Sequence, residues 1–322
     1  MCYYTPAIQE PTAGAIRRVT GKETDMEKKF VVCTDSGCDL ALEWLQENEI
    51  YAIPLQYELD GQLISDTMKH EDCHVFYENM RNGAAPKTSQ LNVMQFVDFW
   101  TPIVNEHHLP IIHICLGSGV SGTFNNGCQA AEIIKDDLPE AEIHMIDSTL
   151  CSTGYGMLAL EAARMRDEGC ELEDCINWIE EHKGNINTWY TTDELKYLYR
   201  SGRVSKLGAI IGEALNICPI LNLDLEGHLI VQEKVRGLKK TIRRIHEIMD
   251  GIVEDAGDQV AWVCHSDIPE KAREFGEEMK QRYGFKDVKY TYIGPTIGSN
   301  CGPGLMAIFF WGKKRTMDGY KG

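Results

Sequence analysis

The sequence predicts an α/β protein of two lobes, an N-terminal parallel doubly wound sheet and a C-terminal lobe with a largely antiparallel sheet and helices. Three observations predict it. Through the first half of the chain, short apolar runs alternate with helically spaced segments, the pattern of strand–helix–strand units. From Thr188 onward strand-like runs follow one another, two of them joined by the tight turn Leu225-Glu226-Gly227-His228, which implies antiparallel pairing. A length of 322 residues, 43% of them hydrophobic, is enough for two cores of ordinary domain size.

Residues 1–28 lack periodicity and carry Pro6, Pro11 and Gly14, so they read as a loosely ordered leader. Residues 30–33 form an apolar strand ending in Thr34-Asp35-Ser36, where Ser36 and Asp39 stand at capping-box spacing before a helix over 40–48. A strand over 50–57, a helix over 93–105 and a buried strand over 111–116 follow. Residues 124–135 place Phe124, Cys128, Ala131 and Ile134 on one helical face, and 143–146 is again a strand. Two helices, 153–167 and 171–182, stop at Gly169 and Gly184 and end an N-terminal lobe of residues 29–185. The second lobe, 186–322, offers a helix over 193–199 and strands over 220–225, 228–235, 260–265, 288–293 and 305–311.

A net charge of -17 argues against nucleic acid as a partner, because that affinity comes mainly from neutralising phosphates. No apolar run of membrane-spanning length and no signal-peptide pattern appears, so the expected location is the cytoplasm, without stable membrane insertion. The 12 cysteines are scattered with no C-x-x-C; the closest pairs, Cys33/Cys38 and Cys170/Cys175, are poorly spaced for zinc. They read as free thiols in a reducing compartment, and neither a metal nor a cofactor is expected.

Chemistry is concentrated in loops. Gly117-Ser118-Gly119-Val120-Ser121-Gly122-Thr123 joins a strand to a helix, at the sheet edge where open α/β folds bind ligands. Its hydroxyls, together with free N–H groups of the helix's first turn, suit a carboxylate or phosphate. The same residues serve equally as a glycine-rich turn with Ser121 or Thr123 as helix cap. The loop lacks the Gly-Lys-[Ser/Thr] of a P-loop and the flanking glycines of a nucleophile elbow. Pro86-Lys87-Thr88-Ser89-Gln90 is a second hydroxyl-rich loop, with Ser89 or Asn92 as alternative caps. Residues 293–304 are dense in glycine and proline; they read as a long functional loop in which Asn300 is the side chain best able to meet a carboxylate. Two basic stretches, Arg200–Lys206 and Lys234–Arg244, read either as solvated faces or as docking surface for an acidic partner.

Taken in order, Thr34-Asp35-Ser36 with Asp39-Leu40, Thr88-Ser89-Gln90, Ser121-Gly122-Thr123 and Asp147-Ser148 resemble the DegV family of fatty-acid-binding proteins. Asp193-Glu194-Leu195, Ser201-Gly202-Arg203, Leu215-Asn216-Ile217-Cys218-Pro219-Ile220 and Gly302-Pro303-Gly304 continue the series. The resemblance implies one long-chain fatty acid buried between two lobes and presented to a separate fatty-acid kinase, with no catalysis by the carrier itself. It assigns the carboxylate to Thr88 and Ser121, with Gly122 and nearby backbone completing the cradle; Ser89, Ser118 and Thr123 of the same hydroxyl-rich loops are further candidate ligands. Arg203 and Arg236 fall in its partner-facing region. The chain departs from the family pattern at Ser201 for glycine, at Cys218 for lysine, and at Asn300 for a histidine. Asparagine keeps a hydrogen bond but carries no proton. The alternative reading is a small-anion phosphotransferase or hydrolase in the same crevice; against it stand the missing Mg²⁺ motif and the missing nucleophile–base pair.

Overall fold

A computed structural model of the protein describes residues 27–204 and 216–318. The leader expected over 1–28 falls, for residues 1–26, outside the described residues, as do Lys206 of the first basic stretch and Leu215 of the family motif.

Strand β1 (Val31–Asp35) is buried at every residue, and the chain turns through helix α1 (Leu42–Glu47) into strand β2 (Ile50–Ile53). The strand expected over 50–57 is broken by Pro54, which cannot donate to a ladder, so its second half belongs to a different sheet. That half is β3 (Gln56–Leu59), which forms a hairpin with β4 (Gln62–Ser65) and also pairs with β5 (Lys87–Thr88). Between β4 and β5 lies an unanticipated helix, α2 (His70–Arg81), whose buried Cys73, Phe76, Tyr77 and Met80 fall at helical spacing within a polar segment. Helix α3 (Val93–His107) starts in a capping box made by Asn92 and Gln95. Strand β6 (Ile111–Cys115), helix α4 (Thr123–Asp137), strand β7 (Ile143–Asp147) and helices α5 (Thr153–Asp167) and α6 (Leu172–His182) complete the lobe.

The main sheet has the order β2-β1-β6-β7, all parallel. Alternate residues of β1 serve opposite faces: Val31 and Cys33 pack with Phe96, Trp100 and Ile134 of α3 and α4. Phe30 and Val32 pack with Tyr155, Leu158 and Ile179 of α5 and α6. The two-residue period of the strand therefore builds both faces of a doubly wound sheet.

The second lobe begins with β8 (Ile186–Thr191), fully buried and not anticipated as a strand, followed by α7 (Leu195–Ser201). Strands β9 (Ile217–Leu223) and β10 (Leu229–Arg236) form the hairpin expected from the turn at Gly227. Helix α8 (Leu238–Met249), strand β11 (Val260–His265), helix α9 (Pro269–Tyr283) and strand β12 (Asp287–Tyr292) follow. The segment expected as a long loop over 293–304 contains a short helix, α10 (Pro295–Cys301), with Pro at its first turn, before strand β13 (Met306–Trp311). Sheet order is β10-β9-β8-β13-β11-β12, antiparallel except for the β11–β12 pair. Among the described residues no helix is long and apolar enough to cross a membrane.

The lobes are clasped through polar groups. Asp39 does not pair with Ser36 in a capping box. Its buried carboxylate accepts from the Gly294 N–H of the second lobe at 2.8 Å and from the Ser152 hydroxyl. Ser36 instead accepts from the Leu55 N–H at 3.0 Å. At the opposite end, the buried Arg315 guanidinium donates to the Asp224 and Thr149 carbonyls at 2.7 and 3.2 Å.

Candidate functional site

A cavity of about 360 Å³ opens between the lobes. From the first lobe it is lined by Leu55, Thr88, Ser89, Gln90, Leu116, Val120, Ser121, Gly122 and Cys151. The second lobe adds Leu198, Ser201, Arg203, Leu229, Thr296, Ile297, Asn300 and Cys301. Its volume is within the range of small-molecule sites, and its wall is mostly apolar with polar groups gathered at one part.

The polar groups are held by separate pieces of scaffold. Thr88 sits on β5, paired with Tyr57 of β3, so the small sheet split off by Pro54 is what presents it. Ser121 stands just before α4; its oxygen accepts from the Thr123 N–H at 3.3 Å and bonds the Thr123 hydroxyl at 2.9 Å. Gly122 is the N-cap of α4, and a Cβ there would lie 2.3 Å from Gln90 Oε1, so a larger residue would have to displace the Gln90 side chain. Gly119 has another cause: a Cβ would lie 2.5 Å from the Gly227 backbone, so the glycine-rich loop meets the β9–β10 hairpin backbone to backbone. Behind the loop, buried Asp35 accepts from the N–H groups of Leu116 and Gly37 at 3.2 and 3.1 Å and from Tyr155 at 2.6 Å. The bond to Leu116 anchors the residue just before the loop. Burial raises the Asp35 and Asp39 carboxyls above the usual range, and their hydrogen bonds only partly offset it.

From the second lobe, Asn300 donates to the Thr296 carbonyl at 2.9 Å and comes within 3.4 Å of the Thr88 hydroxyl. Arg203 donates from Nη1 to Asn300 Oδ1 at 2.6 Å and from Nε to the Val120 carbonyl at 3.3 Å. The guanidinium thus lies across the cavity mouth, touching both lobes. Among the described residues it is the one cation in the lining, which contains no carboxylate and no histidine. In a chain of net charge -17 the cavity is locally positive, and the first turn of α4 adds to this.

Of the residues singled out from sequence, Thr88, Ser89, Ser121, Gly122 and Asn300 line this one cavity. Ser118 does not: its N–H and hydroxyl bind Asp147 at 3.0 and 2.5 Å, stitching the loop to the end of β7. Thr123 is fully buried behind Ser121 and is also outside the lining. Arg203, read as partner-facing, is drawn into the cavity wall by its bond to Asn300, whereas Arg236 is exposed on β10 outside the lining. Gln90, Ser201 and Thr296 line the cavity without having been singled out. For Thr296 no sequence signal existed, because one threonine between Pro295 and Ile297 looks like any helix start.

Among the described residues no lining side chain offers a general base to a hydroxyl. Burial pushes the Cys151 thiol up to about 11 and the Cys301 thiol well above its usual value, so both remain protonated near neutrality. The arrangement is built to hold a ligand with an apolar body and an anionic end.

The comparisons with known proteins give the family and the fold. Residues 29–313 match the profile of the DegV family, described as a family of uncharacterised proteins. A DegV domain-containing protein of Clostridium perfringens is 32% identical over 286 residues, 88% of this chain and 98% of the relative. One from Caldanaerobacter subterraneus is 32% identical over 285 residues, 88% and 99% of the two chains. Among solved structures, DegV of Bacillus subtilis, described as a fatty acid binding protein, aligns with a TM-score of 0.77 at 29% identity. It covers 89% of this chain and all of its own. A DegV lipid binding protein of Thermotoga maritima shares the fold with a TM-score of 0.78 at 24% identity, over 89% of this chain and 100% of its own. The match over nearly the whole described chain, with the same two-lobe fold, makes this protein a member of the DegV family.

Proposed function

We propose that the chain binds a long-chain fatty acid between its lobes and presents the carboxyl group to a separate fatty-acid kinase. The observation that carries the reading is the cavity itself: an apolar wall whose polar end gathers Thr88, Ser121, Asn300 and one arginine, with no acidic side chain among the described residues. The related Bacillus subtilis protein, described as fatty acid binding, supports it. Burying an acyl chain contributes about 0.8 kcal/mol per methylene, so the chain supplies affinity and the polar end sets orientation. The head group is assigned to Thr88, Ser121, the Gly122 backbone and Asn300, with Ser89 at the rim. Arg203 lies at the same mouth, where a kinase must reach the carboxylate, and the exposed Arg236 is assigned to the partner surface. A small-anion phosphotransferase or hydrolase gains no support from the described lining residues, none of which is a base.

Protein purified natively should yield stoichiometric fatty acid on organic extraction and mass spectrometry. Thr88→Ala combined with Ser121→Ala should weaken binding at least tenfold, since a hydrogen bond to a charged group is worth roughly 1.5–3 kcal/mol. Lipid-free native protein would count against the fatty-acid reading, whereas a double variant with wild-type affinity would move the head group elsewhere.

Asn300→His is expected to add a pH dependence. A histidine there gains a favourable contact with the carboxylate only when protonated, so affinity should fall as pH rises from about 6 to 8, through the range where histidine titrates. The unmodified protein should be nearly flat over this range, because asparagine does not titrate and no described residue of the lining is a histidine or a carboxylate. Identical titration curves for the two proteins would show that residue 300 does not face the head group.

A further inference from the structure

At Pro54 the chain leaves the main sheet, and it rejoins the layers of the first lobe at α3. The excursion between them carries β3, β4, α2 and β5, and β5 carries Thr88. By sequence this strap belongs to the first lobe, yet its packing belongs equally to the second. Tyr57, Phe76, Tyr77 and Met80 form a small core that is completed by Tyr197 of α7 and Tyr292 of β12.

One stripe of α2 makes the junction. His70, His74, Tyr77 and Arg81 stand three or four residues apart, so they share a face of the helix, and all four meet the second lobe. The His70 ring lies 5.7 Å from the ring of Tyr292. His74 Nδ1 bonds the Asp267 carboxylate at 2.9 Å. Tyr77, fully buried, donates to the Ile293 carbonyl at 2.7 Å. Arg81 donates to the Asp267 carboxylate and, from Nη2, to the Asp267 carbonyl at 3.2 Å. The Asp267 side chain is only 5% exposed, and a carboxylate so far out of water depends on its cation.

The same helix supports the second-lobe half of the head-group clamp. Tyr197 of α7, the helix that leads to Arg203, donates to the Met80 carbonyl at 3.4 Å. In α10, a Cβ at Gly298 would stand 2.5 Å from the Tyr77 hydroxyl, so the turn of helix that presents Asn300 lies directly on α2. From Arg81 the strap runs on to Thr88, whose hydroxyl comes within 3.4 Å of the Asn300 amide. Helix α2 is thus the common support of both halves, and Asp267 is the charged group that pins its C-terminal end.

We propose that Asp267 is a positioning residue of the head-group clamp: by holding Arg81 it fixes α2 on the second lobe, and this sets Thr88 opposite Asn300. The inference rests on the fatty-acid reading. Asp267 does not line the cavity, so it acts only through the residues that it places.

The test is a double-mutant cycle of Asp267→Asn with Thr88→Ala in the full chain, stripped of lipid, with hexadecanoic acid as the probe. Asparagine keeps the shape, removes the charge and tolerates the left-handed backbone that Asp267 adopts at φ 61°. Asp267→Asn should raise the dissociation constant by roughly threefold to tenfold. With alanine already at position 88 the same change should cost less than about twofold, because the contact that Asp267 places is then absent. Arg81→Met removes the bond from its more exposed side and should repeat both results; it replaces Asp267→Asn if that variant does not fold. Wild-type affinity in both variants overturns the proposal. So do losses that add in full to that of Thr88→Ala, because a merely structural carboxylate weakens binding whether or not Thr88 is present. If the unmodified protein does not bind hexadecanoic acid, the fatty-acid reading has failed and the proposal falls with it, an outcome distinct from a cycle whose losses simply add.

Discussion

Arg203→Glu should weaken fatty-acid binding by at least a hundredfold. Two losses combine. The cation that bonds Asn300 at 2.6 Å and spans to the Val120 carbonyl is removed, so the amide loses the contact that orients it. A carboxylate then stands at the mouth of a cavity whose ligand is itself anionic, and opposed like charges at a partly desolvated site cost several kcal/mol. A fatty alcohol of the same chain length carries no charge and should bind both proteins within a few-fold. Equilibrium titration of the acid and the alcohol separates the two effects. If the acid binds the variant as tightly as wild type while phosphate transfer by a kinase is lost, Arg203 acts on the partner alone, the role that the sequence first suggested for it.

That shift in the reading of Arg203 shows where sequence reasoning stops. An arginine in a basic stretch says nothing about which residue 97 positions away it will touch. The elements themselves were legible wherever local pattern sufficed. Buried runs such as Val260–His265, the 15-residue helix Thr153–Asp167 and the hairpin turn at Gly227 follow from period and turn chemistry. The strand expected over 50–57 failed at Pro54, a visible breaker whose consequence, transfer of the chain to a second sheet, depends on tertiary pairing. Helix α2 was hidden by its polar majority, although its four buried residues keep the 3.6 period. In the site, Thr88, Ser121 and Asn300 were found because hydroxyl- and amide-bearing loops at strand ends are recognisable, and the cavity brings them together. Ser118 could not be told from Ser121 by composition; only the geometry shows one turned to Asp147 and the other to the cavity. Gly119 meets Gly227 backbone to backbone, a contact between the lobes that no local pattern announces.

The same dense packing gives the protein an expected weakness in acid, and His113 is its clearest source. This residue sits in the middle of β6 with no exposure, ringed by Phe96, Phe99 and Trp100. Its Nδ1 accepts from the Trp100 indole at 3.1 Å, so the ring proton is on Nε2, which has no partner. Burial holds its pKa down at about 3, against about 6.5 in an unfolded chain. The folded state refuses a proton that the unfolded state accepts. The contribution is therefore fully present above pH 6.5 and is lost as pH falls from there toward 3. At about 1.4 kcal/mol per pH unit, roughly 3 kcal/mol is gone by pH 4. The buried Asp35, Asp39 and Asp66 work in the opposite direction, because their raised pKa values make the folded state the better proton binder. The histidine is therefore isolated by difference. His113→Gln keeps an acceptor for Trp100 and cannot titrate, so it should be less stable than wild type at pH 7 and close most of that gap by pH 4. Denaturant unfolding of both proteins across this range measures it. Two stability profiles that run parallel from pH 7 to 4 would mean that His113 is protonated as readily in the folded protein as in the unfolded chain.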